Sequence, residues 1–380
     1  MKILAVDVGT GTQDILLFDS RFDVENAFKM VLPAPTMIVH RRLKQATRAG
    51  RPVLLSGFTM GGGPSHWAAE DHVRAGLPVF ATPDAARSFN DDLDSVRQAG
   101  IQVVSEDEAR RLPAEVERLE LRDLDLDAIR IAFSAFGIAL DDLAAVAVAV
   151  FDHGAAPVDI SDRQFRFDFL HQRIHETNRL SAFAFLRGAI PPALTRLQAV
   201  AQSAGDLQAP MVVMDTAPAA VLGATFDPHV AALERKMIAN VGNFHTLAFR
   251  LGPQGIEGLF EHHTGLLTVE KLEILLRTLA DGSLRHTDVF DDHGHGALVL
   301  EERPLQLDPR EQNLVITGPR RSMLSGSHMR PHFATPFGDM MIAGCFGLLA
   351  AAADLLPDLY APITAALVAP QGVGKPPWED

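Results

Sequence analysis

Apolar residues along this chain come in short runs closed by glycine, proline or charged turns, and strand-like runs alternate with helix-like ones. Residues 3–6 form an apolar run ending in Asp7, the turn Gly9-Thr10-Gly11-Thr12 follows, and residues 15–18 form a second run. That pattern predicts strand, tight turn, strand. Residues 36–40 read as a third strand and 41–49 as a helix ended by Gly50. The run 52–55 is a strand opening into a Gly61-Gly62-Gly63-Pro64-Ser65 turn and helix start. Residues 77–80 and 101–104 are strands around a polar helix at 87–99, and 106–142 is charged and predicted helical with a solvated face. LAAVAVAVF, residues 143–151, is a strand buried on both faces, ending in Asp152-His153-Gly154. Residues 163–204 read as mostly helical, broken at Pro191-Pro192. A buried strand at 211–214 leads through Asp215-Thr216-Ala217-Pro218 into a small-residue helix ending near Gly223. Residues 240–249 repeat the glycine turn between apolar runs. A strand at 258–262, a helix at 269–280, a strand at 313–316 and a helix at 338–355 complete the pattern, and the tail 371–380 reads as unstructured.

Composition narrows the classes. With 380 residues, 47% of them hydrophobic, the chain can bury the cores of two or three domains. The net charge of −14, with no basic stripe, excludes a stable nucleic-acid binder. Anionic ligands are then expected on backbone amides, a few arginines and metal ions. The single cysteine, Cys345, excludes an intrachain disulfide and a cysteine-ligated iron–sulfur cluster, which takes about four thiolates. Its apolar surroundings predict a buried thiol. The longest apolar stretch, 344–353, is too short to span a bilayer, and the first apolar run lacks a basic leader. A soluble, cytoplasmic protein with no membrane partner is expected.

The first turn has the parts of a phosphate site. Two glycines let backbone N–H groups approach an anion, and Thr10 and Thr12 add hydroxyl donors. Asp7 at the strand end suits a hydrated Mg²⁺, which commonly takes one or two carboxylates. A plain surface hairpin with permissive glycines is the alternative. The recurrence of the unit near the start of the second half points to two related α/β halves that offer glycine hairpins to one phosphate chain. The expected division is 1–205, including a helical insertion, 206–370, and the tail 371–380.

VDVGTGTQDILLFD resembles the first phosphate motif of the actin, hexokinase and Hsp70 ATPase superfamily, and NVGNFHTLAF resembles its second. MDTAPAAVLGA is similar to the segment that precedes the second phosphate loop in sugar kinases and carries their catalytic base. VITGPRR and GDMMIAGCFGLL fall where the superfamily places its adenosine-binding strand end and helix. TMGGGP, FEHHTG, DDHGHGA and TGPRR resemble motifs of a prokaryotic family labelled as pyruvate formate-lyase activating proteins. An activase of the radical type carries a CxxxCxxC cluster motif, which one cysteine does not supply.

The resemblance implies a two-domain actin-like (ribonuclease H-like) fold with Mg·ATP in the cleft between halves. Gly9, Thr10, Gly11 and Thr12 would wrap the phosphates from one side, and Gly242, Asn243 and Thr246 from the other. Asp7 would position Mg²⁺, and Gly318, Arg320 and Gly344 would line the adenosine side. Asp215 would be the general base, with Asp152 a second candidate; the alternative for Asp215 is a helix N-cap. Unlike the usual Gly-Thr-Ser, the second loop carries the bulky Phe244 and His245.

The histidines form a second constellation, Glu261-His262-His263 and the loop Asp291-Asp292-His293-Gly294-His295-Gly296. His263, His293 and His295 suit a transition metal or an acceptor substrate; hydrogen-bonded cleft lining is the alternative. Gly62 and Gly63 at a helix start offer a further anion or acceptor site, or a tight turn. Two functions are expected from this set. One is a small-molecule kinase or other ATP-dependent enzyme. The other is an ATP-hydrolysing activator or reactivase that a partner enzyme reads.

Overall fold

The computed structural model describes residues 1–157 and 159–368; the tail 371–380 lies outside the described residues. Among the described residues, sixteen strands form three sheets. In chain order they are β1 Lys2–Val8, β2 Thr12–Asp19, β3 Phe28–Pro33, β4 Val53–Gly57, β5 Val79–Ala81, β6 Ile101–Val103, β7 Glu117–Leu121 and β8 Leu143–Val150. Then come β9 Ala184–Leu186, β10 Met211–Asp215, β11 Lys236–Val241, β12 His245–Gly252, β13 Gly255–His263, β14 Gly296–Val299, β15 Leu314–Thr317 and β16 His332–Phe333.

The first sheet has the order β3-β2-β1-β8-β10-β9 and the second β14-β13-β12-β11-β15-β16. Each is built around one central strand. β1 pairs antiparallel with β2 and parallel with β8, while β11 pairs antiparallel with β12 and parallel with β15. Shared antiparallel hairpins and parallel partners make the two sheets topological copies. This is the duplicated α/β architecture of the two-domain actin-like fold. β1 is apolar on both faces because both are covered: Ile3 and Ala5 face one core, Leu4 and Val6 another.

Two helices lie against the first sheet, and Thr216–Ala224 also touches β11 and β15 of the second. Thr216–Ala224 leaves β10, and Ala343–Leu355 returns to pack on β1, β8 and β10. They approach so closely that a Cβ on Gly223 would lie 1.7 Å from the Ala343 carbonyl oxygen, and one on Gly347 would lie 1.9 Å from that of Ala219. Only glycine permits that contact.

The third sheet, β6-β5-β4-β7, is wholly parallel and sits between β3 and β8 in sequence. Residues 36–40 are not a strand but part of the helix Pro35–Arg48. The β-branched residues suggested β structure, yet buried Val39, Leu43 and Ala46 recur at helical spacing behind a first-turn proline. The third strand is instead Phe28–Pro33, an edge strand lying mostly in solvent. The charged segment 106–142 contains β7, where Leu119 and Leu121 are buried and Arg118 and Glu120 are exposed, a period of two hidden by the charge. Segment 163–204 contains the short β9, and the last long helix begins at Ala343 rather than 338. No helix among the described residues is long and apolar enough to cross a membrane.

Candidate functional site

The two glycine hairpins are closed in the same way. Gly9 N–H donates to the Thr12 carbonyl at 2.9 Å and Gly242 N–H to the His245 carbonyl at 3.0 Å, so each turn holds four residues between paired strands. The turns meet: a Cβ on Gly11 would lie 2.7 Å from Asn243 Nδ2. Between them is a cleft of about 820 Å³, open to solvent, lined by Asp7, Gly9, Thr10, Thr12, Gly242, Asn243, Gly318 and Gly344, among others. It opens at the carboxyl ends of the central strands, where α/β sheets bind ligands.

Two carboxyl groups sit at its base. Asp7 and Asp14 face each other across the β1–β2 pair, each 8% exposed. Burial, assisted by the charge of Asp215, pushes Asp7 up to about 7. Burial and the Asp7 charge push Asp14 up to about 8. Asp7 Oδ1 accepts a hydrogen bond from Thr216 Oγ1 at 2.6 Å, whereas Asp14 Oδ1 has no partner among the described residues. Gly344 is pressed against Asp7, for a Cβ there would lie 1.8 Å from Asp7 Oδ2. Buried acids facing a cavity suit a divalent cation with oxygen ligands.

Thr246 and Arg320 are near this cavity without lining it. Thr246 is buried with its hydroxyl 2.9 Å from that of Thr264. Arg320 is exposed, and its backbone N–H donates to the Val241 carbonyl.

A second chamber of about 950 Å³ joins the first through shared walls at Thr10, Phe151, Arg196, Phe244 and His245. Gly61, Gly62 and Gly63 line it where the chain leaves β4, opposite Asp152 and His153 at the end of β8. Arg196 is held by a fork of hydrogen bonds to Asp123 at 2.7 and 3.0 Å, and its Nη1 donates to the Phe151 carbonyl. Its charge is therefore aimed at the boundary between chambers.

The acids expected as bases have other partners. Asp215 Oδ2 accepts from Arg166 Nη1 at 2.6 Å, and Asp215 Oδ1 caps the helix Thr216–Ala224 through Ala217 N–H at 3.1 Å. Asp215 thus faces Arg166 rather than the first cavity. Asp152 accepts from Gly154 N–H and Leu197 N–H, and burial pushes it up to about 6. Arg166, 2% exposed, also donates from Nε to Glu261 and stacks over Phe151. Burial raises Glu261 to about 7 despite the guanidinium.

The histidines converge differently from their spacing. His295 and His263 come together through the β13–β14 pair, joined by His153 and His245; ring centroids are 4.8 Å apart for His263–His295 and 5.1 Å for His245–His295. His293 is exposed on the turn and stands outside the group. Burial, then the Arg166 and Arg196 charges, lowers His153 to about 3, and burial lowers His245, His263 and His295 also, so these rings are neutral.

Sequence reasoning missed Asp14, Arg166 and Arg196. Asp14 carried a signal, as an acid opening an apolar strand. So did Arg166, which occupies the buried stripe of its helix with Leu170 and Ile174. Arg196 carried none, because its Asp123 partner is 73 residues away.

Residues 60–323 match the protein family described as "Putative pyruvate format-lyase activating enzyme (DUF1786)". No curated protein sequence matches. Among solved structures, the chain is similar to the activator of the 2-hydroxyisocaproyl-CoA dehydratase from Clostridium difficile with bound ADPNP, at 9% identity and a TM-score of 0.32, over 96% of this chain and 96% of that one. It is similar to the ROK hexokinase from Thermus thermophilus at 13% identity and a TM-score of 0.25, over 97% and 88%. It is similar to a propionate kinase from Francisella tularensis at 8% identity and a TM-score of 0.26, over 94% and 80%. Scores of this size carry no weight beside the strand order and the paired turns.

Proposed function

The chain belongs to the DUF1786 family, and from that premise we propose that it binds Mg·ATP between its two halves and transfers the terminal phosphoryl group to an acceptor held in the second chamber. The observation that carries this reading is the meeting of two identically closed glycine hairpins above Asp7 and Asp14. Backbone amides of Gly9–Thr12 and Gly242–Asn243 would hold the phosphates, with the Thr10 and Thr12 hydroxyls adding donors. Asp7 and Asp14 would hold Mg²⁺, whose charge would stabilise their ionised forms. Gly318 and Gly344 would border the adenosine. Such a site works by alignment and electrostatics, with little covalent chemistry asked of the protein.

Asp215 is less suited to proton abstraction than its motif implied, since Arg166 and a helix N-terminus occupy its oxygens. We assign it to positioning Arg166 and the helix Thr216–Ala224. Asp152 also accepts on both oxygens, from the Gly154 and Leu197 amides, but unlike Asp215 it lines the acceptor chamber with His153, and that position makes it the better candidate for receiving the acceptor proton. The family description names an activating enzyme, but a radical mechanism of the iron–sulfur type finds no support in one buried Cys345, whose thiol donates to the Asp14 carbonyl at 3.1 Å.

Calorimetry with ATP tests the reading. Wild type should bind in a Mg²⁺-dependent manner, and Asp7→Ala should lose that dependence. Equal Mg²⁺-dependent affinity in the variant would refute the site.

One observation favours the second function, an ATPase that acts on a partner enzyme. Ile131 and Phe136, on and just after the helix Leu126–Ser134, are 71% and 81% exposed. Apolar side chains that prominent suit a docking face. Under this reading Ile131→Asp with Phe136→Asp would leave ATP affinity intact and abolish stimulation of ATP hydrolysis by cell extract.

A further inference from the structure

We infer that His153, His245 and His295 form a binding site for a divalent transition metal of the Zn²⁺ or Co²⁺ type, set where the two chambers meet. Each offers one ring nitrogen, and the three lie within 4.8 Å of one another. The three come from separate rigid points: His153 follows β8, His245 opens β12 and His295 precedes β14. His295 is fully buried, and among the described residues neither of its ring nitrogens has a hydrogen-bond partner, nor has the buried Nε2 of His245. A buried polar group left unsatisfied is costly, so orphaned nitrogens on two adjoining rings mark a place built for an occupant.

The donor set favours a metal ion: three imidazole nitrogens converge, and the guanidinium groups nearest them, Arg166 and Arg196, are themselves paired with Glu261, Asp215 and Asp123. Three imidazoles add no charge when neutral, and burial keeps them neutral, the form that ligates. Glu261 Oε1 lies 3.6 Å from His295 Nδ1 and is itself gripped by Arg166. That spacing is longer than a hydrogen bond; a short approach on metal binding would make Glu261 the outer partner that holds one nitrogen of His295 while the other faces the ion.

A tetrahedral site with bonds of about 2.0–2.1 Å puts nitrogens about 3.4 Å apart, so the rings would draw together by about 1.4 Å at most. Nitrogen donors suit Zn²⁺ and Co²⁺ and not Mg²⁺, which prefers oxygen. His153 and His245 line the second chamber, so the fourth position faces it and takes an oxygen ligand: water, or a hydroxyl, carboxylate or phosphate oxygen of the acceptor. Metal binding itself does not depend on the nucleotide reading.

Another histidine pair needs control. His171 and His175 are exposed one turn apart on the helix Asp162–Glu176, with their Nε2 atoms 2.9 Å from each other. The experiment therefore uses the untagged full chain carrying His171→Ala and His175→Ala, stripped with chelator and titrated with Co²⁺ in the absence of nucleotide. The expected result is one Co²⁺ per chain, with the visible absorption of four-coordinate Co²⁺, displaced by Zn²⁺ and indifferent to excess Mg²⁺. His245→Gln and His295→Gln should each weaken Co²⁺ binding by more than the roughly 10–100-fold that loss of an outer partner causes. Their far-ultraviolet dichroism should match the parent. Should His295→Gln fail to fold, the half-buried His153→Gln gives the same readout. Absence of the band in the parent, or an unchanged band in the glutamine variants, overturns the site. His263→Ala should keep the band; its loss there with retention in His153→Gln overturns this ligand set.

Discussion

At the scale of single residues, the site depends on contacts too close to tolerate an added atom or a lost charge. Gly344→Ala would drive a methyl group into Asp7 Oδ2, where the spacing is 1.8 Å. Overpacking of this kind costs about 1–3 kcal/mol, and the displaced carboxylate should also lose Mg·ATP. Thermal melts and calorimetry on one sample read both effects, and wild-type values for both would mean that Asp7 is not held by that contact. Arg166→Met leaves Asp215 and Glu261 buried without their partner, which should cost about 3–5 kcal/mol in denaturant unfolding. Arg166→Lys should recover little, because one ammonium cannot supply the Nε and Nη1 donors that reach two carboxylates at once.

At the scale of elements, caps and close helix contacts tie together segments far apart in the chain. Asp227 caps the helix Pro228–Ala232 through His229 N–H and Val230 N–H, and its Oδ2 accepts from Thr335 N–H more than a hundred residues away. Burial pushes its carboxyl up, but the Thr335 amide, His332 and the Val230 amide outweigh that and hold it below the ordinary value of 3.8. The sign follows from linkage. The folded protein keeps this carboxylate ionised to lower pH than the unfolded chain does. Its stabilisation is complete above the unfolded value and disappears as pH falls through the lower folded one. Asp227→Asn should cost about 2 kcal/mol at neutral pH and flatten the acid limb of the stability profile below about pH 4. Parallel acid limbs for wild type and variant would refute this. Gly223→Val should be more damaging than either, since its Cβ would meet backbone 1.7 Å away.

At the scale of the whole molecule, the first and second sheets are copies of one topology, and a ligand bound between their glycine turns would tie both. Mg·ATP at a hundredfold excess over Kd should raise stability by about 2.7 kcal/mol, seen as a higher Tm, and Asp7→Ala should abolish the shift. Much of this architecture was legible in the sequence. The two glycine hairpins, the doubly buried runs at residues 3–6 and 143–151, and the strand before Asp215 are local signals, because apolar period and turn chemistry act within a few residues. Signals that depended on distant partners misled. Val39 and Ile38 suggested a strand until the helix Pro35–Arg48 buried one side of them, and the charged β7 showed its period of two only once β4 lay beside it. Asp215 is the sharpest case. Its motif implied a base, yet Arg166, 49 residues earlier, takes its oxygen. The histidine loop likewise offered His293 and His295 as neighbours, but a left-handed turn at His293 sends it to solvent while β13 and β14 bring His295 to His245. The sequence by itself determined the central apolar strands, the two glycine turns and the acids at the strand ends, since these follow from local sterics and hydrophobic spacing. The tertiary structure alone decided which acids are free, which imidazoles meet and where the second chamber opens, because those depend on residues that only folding brings within a few ångströms.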